Sequence, residues 1–367
     1  MIHQTLLVIH RWIALIATVF ILVVAITGSA LVFEGAMDRG LHPALWRVTP
    51  QATYASLDSM LAHVRAAFPG VPVGGVTLSP VPDRAFLVQA GTHQVFVDPY
   101  TATVIGQRTV AEWNQTLPRR LHVVHVSLMA GKIGGGVVGA ITALSLLLVV
   151  TGVIIWWRDK AWRVRWSASW KRVLFDLHHA LGIGAAAIIL LITLSGLAIH
   201  YETLNRMMYT LDRTPPPKTP KQPVPAAGAR PISADSLYHV ATRTLPDARV
   251  MFLSLPQKGD QPFVAAMRFP EDHTPGGRSR VIVDRYTGSV LLTTSTRLAQ
   301  PGTRLANVIR SVHTGDLFGR PTEMIWLAAA IVLATQGITG VTMWWNARRG
   351  RASLKRARRS LVPDASD

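Results

Sequence analysis

Four of the 13 histidines recur at matched distances from glycines. His10 stands as far before Gly28 as His178 stands before Gly196, and His125 stands as far before Gly152 as His313 before Gly340. Imidazole ligates metals in its neutral form at physiological pH. Two imidazoles held at one depth on facing helices form an axial ligand set for haem iron. A glycine on the facing helix lets a flat ring, or another helix, come close. A zinc site wants more protein ligands, and the carboxylates nearest in sequence are Asp176 and Asp316. The pattern predicts two haems, one held by His10 with His178 and one by His125 with His313. The chain has no cysteine, which excludes disulfides, thiolate-ligated metals, thiol catalysis and covalent haem attachment. The haems expected are therefore of the b type.

Three more histidines stand close to this set. His122 lies one turn before His125 on the same helix face and is an alternative ligand. His179 adjoins His178, and neighbouring residues point about 100° apart, so one of the two faces the core. His200 is unpaired by the symmetry, its counterpart being Val32. Arg11, Arg119, Arg120 and Arg310 stand near the histidines in sequence and could pair with haem propionates. Basic residues at helix ends beside lipid head groups are the commoner explanation of all four. No hydrolase elbow, phosphate-binding glycine loop or nicotinamide fingerprint is present, and no catalytic residue is singled out. An electron donor would be a partner on the cytoplasmic side or a membrane quinol.

The elements that position these histidines are apolar and long. Of 367 residues, 49% are apolar and 16% charged, with a mean hydropathy of +0.28; soluble domains carry about 25% charged residues. Four runs are long enough to cross a bilayer: Trp12 to Phe33, Ile133 to Trp157, Ala180 to Ile199 and Met324 to Asn346. The formal charge of +18 tracks their boundaries. Arg158, Lys160, Arg163, Arg165, Lys171 and Arg172 crowd the loop between the second and third spans, and a basic tail begins at Arg348. Short basic loops stay in the cytoplasm, so both termini are expected inside and two long segments outside, in the periplasm of a bacterium. This placement favours a lipid bilayer over a nucleic acid as the partner of the basic charge. Taken as one helix, His125 to Trp157 would run about 48 Å, which sets the two histidine layers nearly a membrane apart.

The two halves of the chain read alike. Gly152-Val-Ile-Ile-Trp-Trp157 matches Gly340-Val-Thr-Met-Trp-Trp345, and Val97-Asp-Pro-Tyr-Thr-Ala-Thr-Val104 matches Val283-Asp-Arg-Tyr-Thr-Gly-Ser-Val290. The unit is helix, outer domain, helix, used twice, with the copies related by a pseudo-twofold axis along the membrane normal. Each outer domain predicts a helix (Ser56 to Phe68; Ala234 to Leu245) followed by short strands. These are Val73 to Leu78, Ala85 to Gln89 and Gln94 to Val97, then Arg249 to Leu255, Phe263 to Phe269 and Arg280 to Val283. The reading divides the chain into spans and loops at 1–35, 120–158, 159–175, 176–202, 310–346 and 347–367. Outer α+β domains fall at 50–110 and 232–297, with a stiff proline-rich linker at 213–231.

Along nearly the whole chain the sequence resembles the PepSY-associated transmembrane family. The matching residues are His10-Arg-Trp, Leu121-His…His125-Val-Ser-Leu-Met-Ala-Gly131, Asp176-Leu-His178…Gly182 and Val312-His-Thr-Gly315…Gly319. Ala14 departs from the pattern, standing where Gly182 stands in the second half. The resemblance implies an α-helical membrane protein, a four-helix bundle from two tandem repeats carrying two small periplasmic PepSY-like domains. It also implies kinship with di-haem reductases of the bacterial inner membrane, oxidoreductases that reduce ferric iron held by a siderophore and so serve iron acquisition. Three other readings stand beside this one. The outer domains could bind a peptide or restrain a peptidase, with the helices as anchors; a di-haem reductase could act on another periplasmic acceptor; or the chain could carry iron or haem. The absence of intramembrane carboxylates and broken spans argues against the carrier.

Overall fold

The computed structural model describes residues 2–211, 213 and 218–360, with side chains at 2, 159 and 354–360 left aside. The chain divides into two units. The first comprises Met1–Val32, Leu121–Leu204 and Val312–Asp367; the second comprises Phe33–Arg120 and Asn205–Ser311.

Among the described residues, the first unit holds four helices long and apolar enough to cross a membrane: α1 (Ile2–Leu31), α7 (Gly131–Asp159), α8 (Trp170–His200) and α12 (Arg320–Ser360). Both α1 and α8 pack on α7 and on α12, closing a four-helix ring. Ala17 and Ile21 of α1 meet Val137, Ile141, Leu144 and Leu148 of α7, each set at helical spacing. Ala185 and Ile189 of α8 pack with Ala329 of α12, and Leu333 touches both clusters. The opposite faces carry exposed Ile16, Val19, Ile26 and Ile133, as lipid-facing surfaces do. The basic loop before α8 is tied back by Asp176, 1% exposed, whose carboxylate accepts hydrogen bonds from Arg165 and Arg172.

The run from 120 to 158 is not one helix. A short helix, α6 (Leu117–Ser127), ends in a sharp turn and α7 begins at Gly131. Leu128, Met129 and Gly131 all have positive φ there, and a Cβ at Gly134 would overlap the Ser127 carbonyl. In the second half α11 (Pro301–Thr314) likewise stops before α12, at Gly315 and Gly319, both with positive φ. Trp326 of α12 donates to the Val312 carbonyl at 2.7 Å across this break. A histidine on α6 or α11 is thus freed from the axis of the following span.

The second unit is built on one antiparallel sheet of eight strands, where two separate domains were expected. Its order is β4-β3-β2-β1-β5-β6-β7-β8. The strands are β1 (Val73–Thr77), β2 (Phe86–Ala90), β3 (His93–Val97), β4 (Val104–Thr109), β5 (Arg249–Ser254), β6 (Phe263–Arg268), β7 (Ser279–Val283) and β8 (Val290–Thr294). The strands β1 and β5 would be unpaired edges of two four-stranded meanders; pairing Gly75 with Ser254 and Thr77 with Phe252 removes both edges. The helices α4 (Leu57–Ala67) and α10 (Ala234–Thr244) pack with the sheet through Met60, Leu61, Val64, Leu237 and Ala241. Their N-termini cap each other. Asp58 accepts from the amides of Ala234 and Asp235 at 2.9 and 3.1 Å, and Asp235 accepts from those of Leu57 and Asp58 at 2.8 and 3.0 Å. Burial works to raise the Asp58 pKa, but hydrogen bonds with Asp235 and Ala234 outweigh it and hold the carboxyl below its ordinary value.

The remaining short helices are α2 (Glu34–Leu41), α3 (Pro43–Trp46), α5 (Val110–Gln115) and α9 (Glu202–Met208). A buried, bidentate Asp38–Arg108 pair, with Trp46 also donating to Asp38, joins α2 and α3 to β4. The linker's Pro215, Pro216 and Pro217 lie outside the described residues. Beyond them Gln222 is buried, donating its backbone amide to Asp260 and its side-chain amide to Asp284, so this stretch is docked rather than free.

Candidate functional site

The four symmetric histidines make four matched contacts. His10 on α1 places Nδ1 2.8 Å from Thr151 Oγ1 of α7, and His178 on α8 places Nδ1 2.8 Å from Thr339 Oγ1 of α12. Each threonine already donates its own hydroxyl proton within its helix, Thr151 to Leu147 at 2.7 Å and Thr339 to Thr335 at 2.8 Å. Its oxygen is therefore left to accept, and the imidazole Nδ1 must donate. The ring edges lie over the next residues, Gly152 and Gly340, where a Cβ would sit 3.5 Å from Cε1 in both cases.

His125 and His313 form the second layer. His125 on α6 donates from Nδ1 to the Val24 carbonyl of α1 at 2.9 Å, with Thr27 Oγ1 at 3.3 Å. His313 on α11 donates to the Ile192 carbonyl of α8 at 3.0 Å, with Ser195 Oγ at 3.3 Å. Gly28 and Gly196 carry no side chain, which leaves room for each ring over these carbonyls, to which the Thr27 and Ser195 hydroxyls also donate. A Cβ at Gly28 would come within 2.8 Å of His125 Cε1, and one at Gly196 within 3.0 Å of His313 Cε1. A carbonyl can only accept, so the proton again belongs to Nδ1.

In all four rings, then, Nε2 keeps its lone pair, and the hydrogen bond at Nδ1 fixes the ring's orientation. Metal-ligating histidines carry this type of outer contact. The rings of His125 and His313 stand 6.2 Å apart, centre to centre, tilted by 47°. That separation is comparable to two metal–nitrogen bonds of about 2 Å plus two ring half-widths, about 6 Å in all. Among the described residues no group of three or more His, Asp or Glu gathers to hold a metal ion. Two histidines alone are too few to hold a metal ion, so any metal at this pair would need its remaining ligands from a bound group.

The break before α7 also shortens the distance between layers. Along α1, His10 is about 21 Å from Val24, and along α8 His178 is the same distance from Ile192. The 48 Å of an unbroken helix does not apply, because His125 packs on α1 from α6 rather than riding at the head of α7.

The neighbouring candidates are placed differently. His179 turns onto its own helix, with Nδ1 2.9 Å from the Phe175 carbonyl and its ring 4.0 Å from the Phe175 ring, while His178 faces α12. His122 is half-buried on α6, one turn before His125. His200 ends α8, its ring 4.7 Å from that of Tyr201, and both side chains lie over Gly139 of α7. Arg11 and Arg310 are exposed; Arg119 donates to Asn114 at 3.4 Å and Arg120 to Gln115. The sequence reading missed the acceptors. A signal for them was present, since each station has a hydroxyl residue directly before its glycine: Thr27-Gly28, Thr151-Gly152, Ser195-Gly196 and Thr339-Gly340.

No curated protein matches this chain. A protein-family model does, from residue 7 to residue 347: by that match, and with four span-length helices to carry it, the chain belongs to the PepSY-associated TM region family.

Proposed function

We propose that this protein is a di-haem electron carrier of a bacterial inner membrane, reducing a ferric complex, most simply a ferric siderophore, on the periplasmic side. In this reading the chain is two tandem repeats of span, PepSY-like half and span. Both termini face the cytoplasm and the sheet unit faces the periplasm. His10 and His178 hold the inner haem b; His125 and His313 hold the outer. The observation that carries the reading is the fourfold contact: each imidazole gives its Nδ1 proton to an acceptor on another helix and keeps Nε2 for a metal.

Haem, when bound, supplies a one-electron iron couple. The chain's own residues do the rest. The Nδ1 contacts orient each ring and raise the basicity of Nε2. The apolar packing of Ala17, Ile21, Ile141, Ala185 and Ile189 lies along the helices between the two layers and excludes water there. At the acceptor, Fe(II) has less charge and a softer ligand preference than Fe(III), so reduction loosens a hard oxygen chelate and releases iron for uptake.

The test is the visible spectrum of the detergent-purified protein, oxidised and dithionite-reduced, with a pyridine haemochrome count. Low-spin b-type bands near two haems per chain, followed by oxidation of the reduced protein on adding a ferric siderophore, are the expected result. A colourless protein after haem supplementation during expression overturns it and leaves a PepSY peptide-binding module as the better reading. Haem without reaction towards ferric complexes moves the reading to another periplasmic acceptor.

A further inference from the structure

Near the histidines of the first layer, a cavity of about 260 Å³ opens between α8 and α12. Its walls are Lys171, Leu174 and Phe175 from α8, and Met343, Asn346 and Ala347 from α12. Leu174 is one turn before His178, and Met343 is one turn past Gly340, the glycine under the His178 ring. Phe175 lies against the His179 ring, tilted from it by 32°. Two of the cavity's walls thus lie one helical turn from the His178 station.

Its two polar wall residues are Lys171 and Asn346. Lys171 brings an ammonium group, which can only donate. The Asn346 side-chain nitrogen is buried and has no hydrogen-bond partner. A buried amide N–H left unpaired costs free energy that an acceptor on a bound molecule would recover. At the equivalent place after the first Trp-Trp pair stands Arg158, so this neutral donor occurs once among the two helix pairs. The volume is below the range of drug-sized ligands and suits a single-ring head group. An occupant that matches these walls is largely apolar and bears an acceptor oxygen.

We infer that this cavity binds the head group of a membrane quinone, with Asn346 donating a hydrogen bond to one ring oxygen and Phe175 and Met343 covering the ring. The inference rests on the electron-transfer reading, in which a bound quinol would give two electrons, one at a time, to the haem iron held by His178, release two protons to the adjoining water, and leave as the quinone. A lipid acyl chain would satisfy the apolar walls and leave Asn346 unpaired; a haem propionate would satisfy Asn346 and leave the apolar cavity unused.

The experiment uses the full chain in lipid nanodiscs, a short-chain azido-benzoquinone as photoaffinity probe, and mapping of labelled peptides by mass spectrometry. Haem content is measured on the same samples. Label is expected on residues 171–175 and 343–347, competed by the unmodified quinone. Asn346→Leu, which keeps the volume and loses the donor, is expected to weaken competition about tenfold with haem content unchanged. Met343→Trp, which fills the cavity, is expected to abolish the labelling. Label spread over all helices, or unchanged affinity in Asn346→Leu, overturns the site in favour of lipid. Loss of haem in Asn346→Leu with unchanged quinone affinity overturns it in favour of a propionate contact. Specific labelling of a haem-free protein supports the cavity while removing the electron-transfer reading, so the two fail separately.

Discussion

At His125 and His313 the imidazole proton meets a main-chain carbonyl, while at His10 and His178 it meets a threonine hydroxyl. The layers differ in two further ways that follow from this. A carbonyl buried in a helix is reachable only where the neighbouring residue is small, so Gly28 and Gly196 sit tight under their rings, with 2.8 and 3.0 Å to an added Cβ. A threonine side chain projects outward, so Gly152 and Gly340 have ordinary contacts of 3.5 Å. The carbonyl layer also needs its histidines on separate short helices that approach α1 and α8 from the side, whereas His10 and His178 ride on α1 and α8 themselves. One layer is therefore fixed by backbone and steric fit, the other by a replaceable side chain.

The largest effects test whether the layers are separate centres. In the di-haem reading, His125→Ala with His313→Ala removes one haem, His10→Ala with His178→Ala removes the other, and either pair stops electron transfer to a ferric chelate. Pyridine haemochrome analysis should fall from two haems per chain to one in each double variant. Loss of both haems from one pair, or of neither, breaks the assignment of ligands to layers. Next in size is Gly134→Ala. Its Cβ would overlap the Ser127 carbonyl and disturb the turn from α6 into α7, which places His125 but none of His10, His178 and His313. The variant should lose the haem of the His125 layer and keep the other, with four spans still folded by circular dichroism.

Smaller, and more telling about packing, is the pair Gly28→Ala and Gly152→Ala. At Gly28 the ring must move by several tenths of an ångström or the helices must part, which costs about 1–3 kcal/mol in a well-packed site. At Gly152 a methyl group meets an ordinary contact distance. Gly28→Ala is expected to lower occupancy, or to alter the low-spin electron paramagnetic resonance signal, of the His125 layer alone. Gly152→Ala should leave both signals as they are. Equal sensitivity at the two glycines would erase the steric distinction between the layers.

How much of this was legible in the sequence differs by contact type. The four histidines, their glycines and the four apolar runs were readable because they repeat, and because spans announce themselves by length and hydropathy. The acceptors were not named because Thr151 and Thr339 lie 141 and 161 residues from their histidines, although their hydroxyl-glycine pairs repeat. The break between α6 and α7 is carried by positive φ at Leu128 and Met129, residue types that give no hint of it, with Gly131 and Gly134 as the only local signs. In the second unit the six strands with apolar alternation were found. The edge strands β4 and β8, which are less buried, were not. The joining of two meanders into one sheet had a single cue, the Gly74-Gly75 pair within β1. A Cβ at Gly75 would come within 2.7 Å of Phe252 and 2.9 Å of the Leu253 carbonyl on β5, so the close approach of the strands needs that glycine.

The finest test of the comparison uses the fact that the shorter Nδ1 contact is to a side chain in one layer and to the main chain in the other. Thr151→Val and Thr339→Val keep the shape of the side chain and remove the oxygen that receives the His10 or His178 proton. A ligated imidazole that loses this acceptor becomes a weaker donor to iron, which disfavours the ferric form more than the ferrous. In the di-haem reading, redox titration of each variant should show one midpoint potential raised by tens of millivolts on the order expected for an outer-shell change, with the second unmoved. Both haems should be retained. Because the carbonyls of Val24 and Ile192 cannot be deleted in the same way, the unmoved potential identifies the His125–His313 centre without altering it. A shift in both potentials would mean that the layers are electronically coupled more closely than their 21 Å spacing along the helices allows, and a shift in neither would mean that the threonines position His10 and His178 without tuning them.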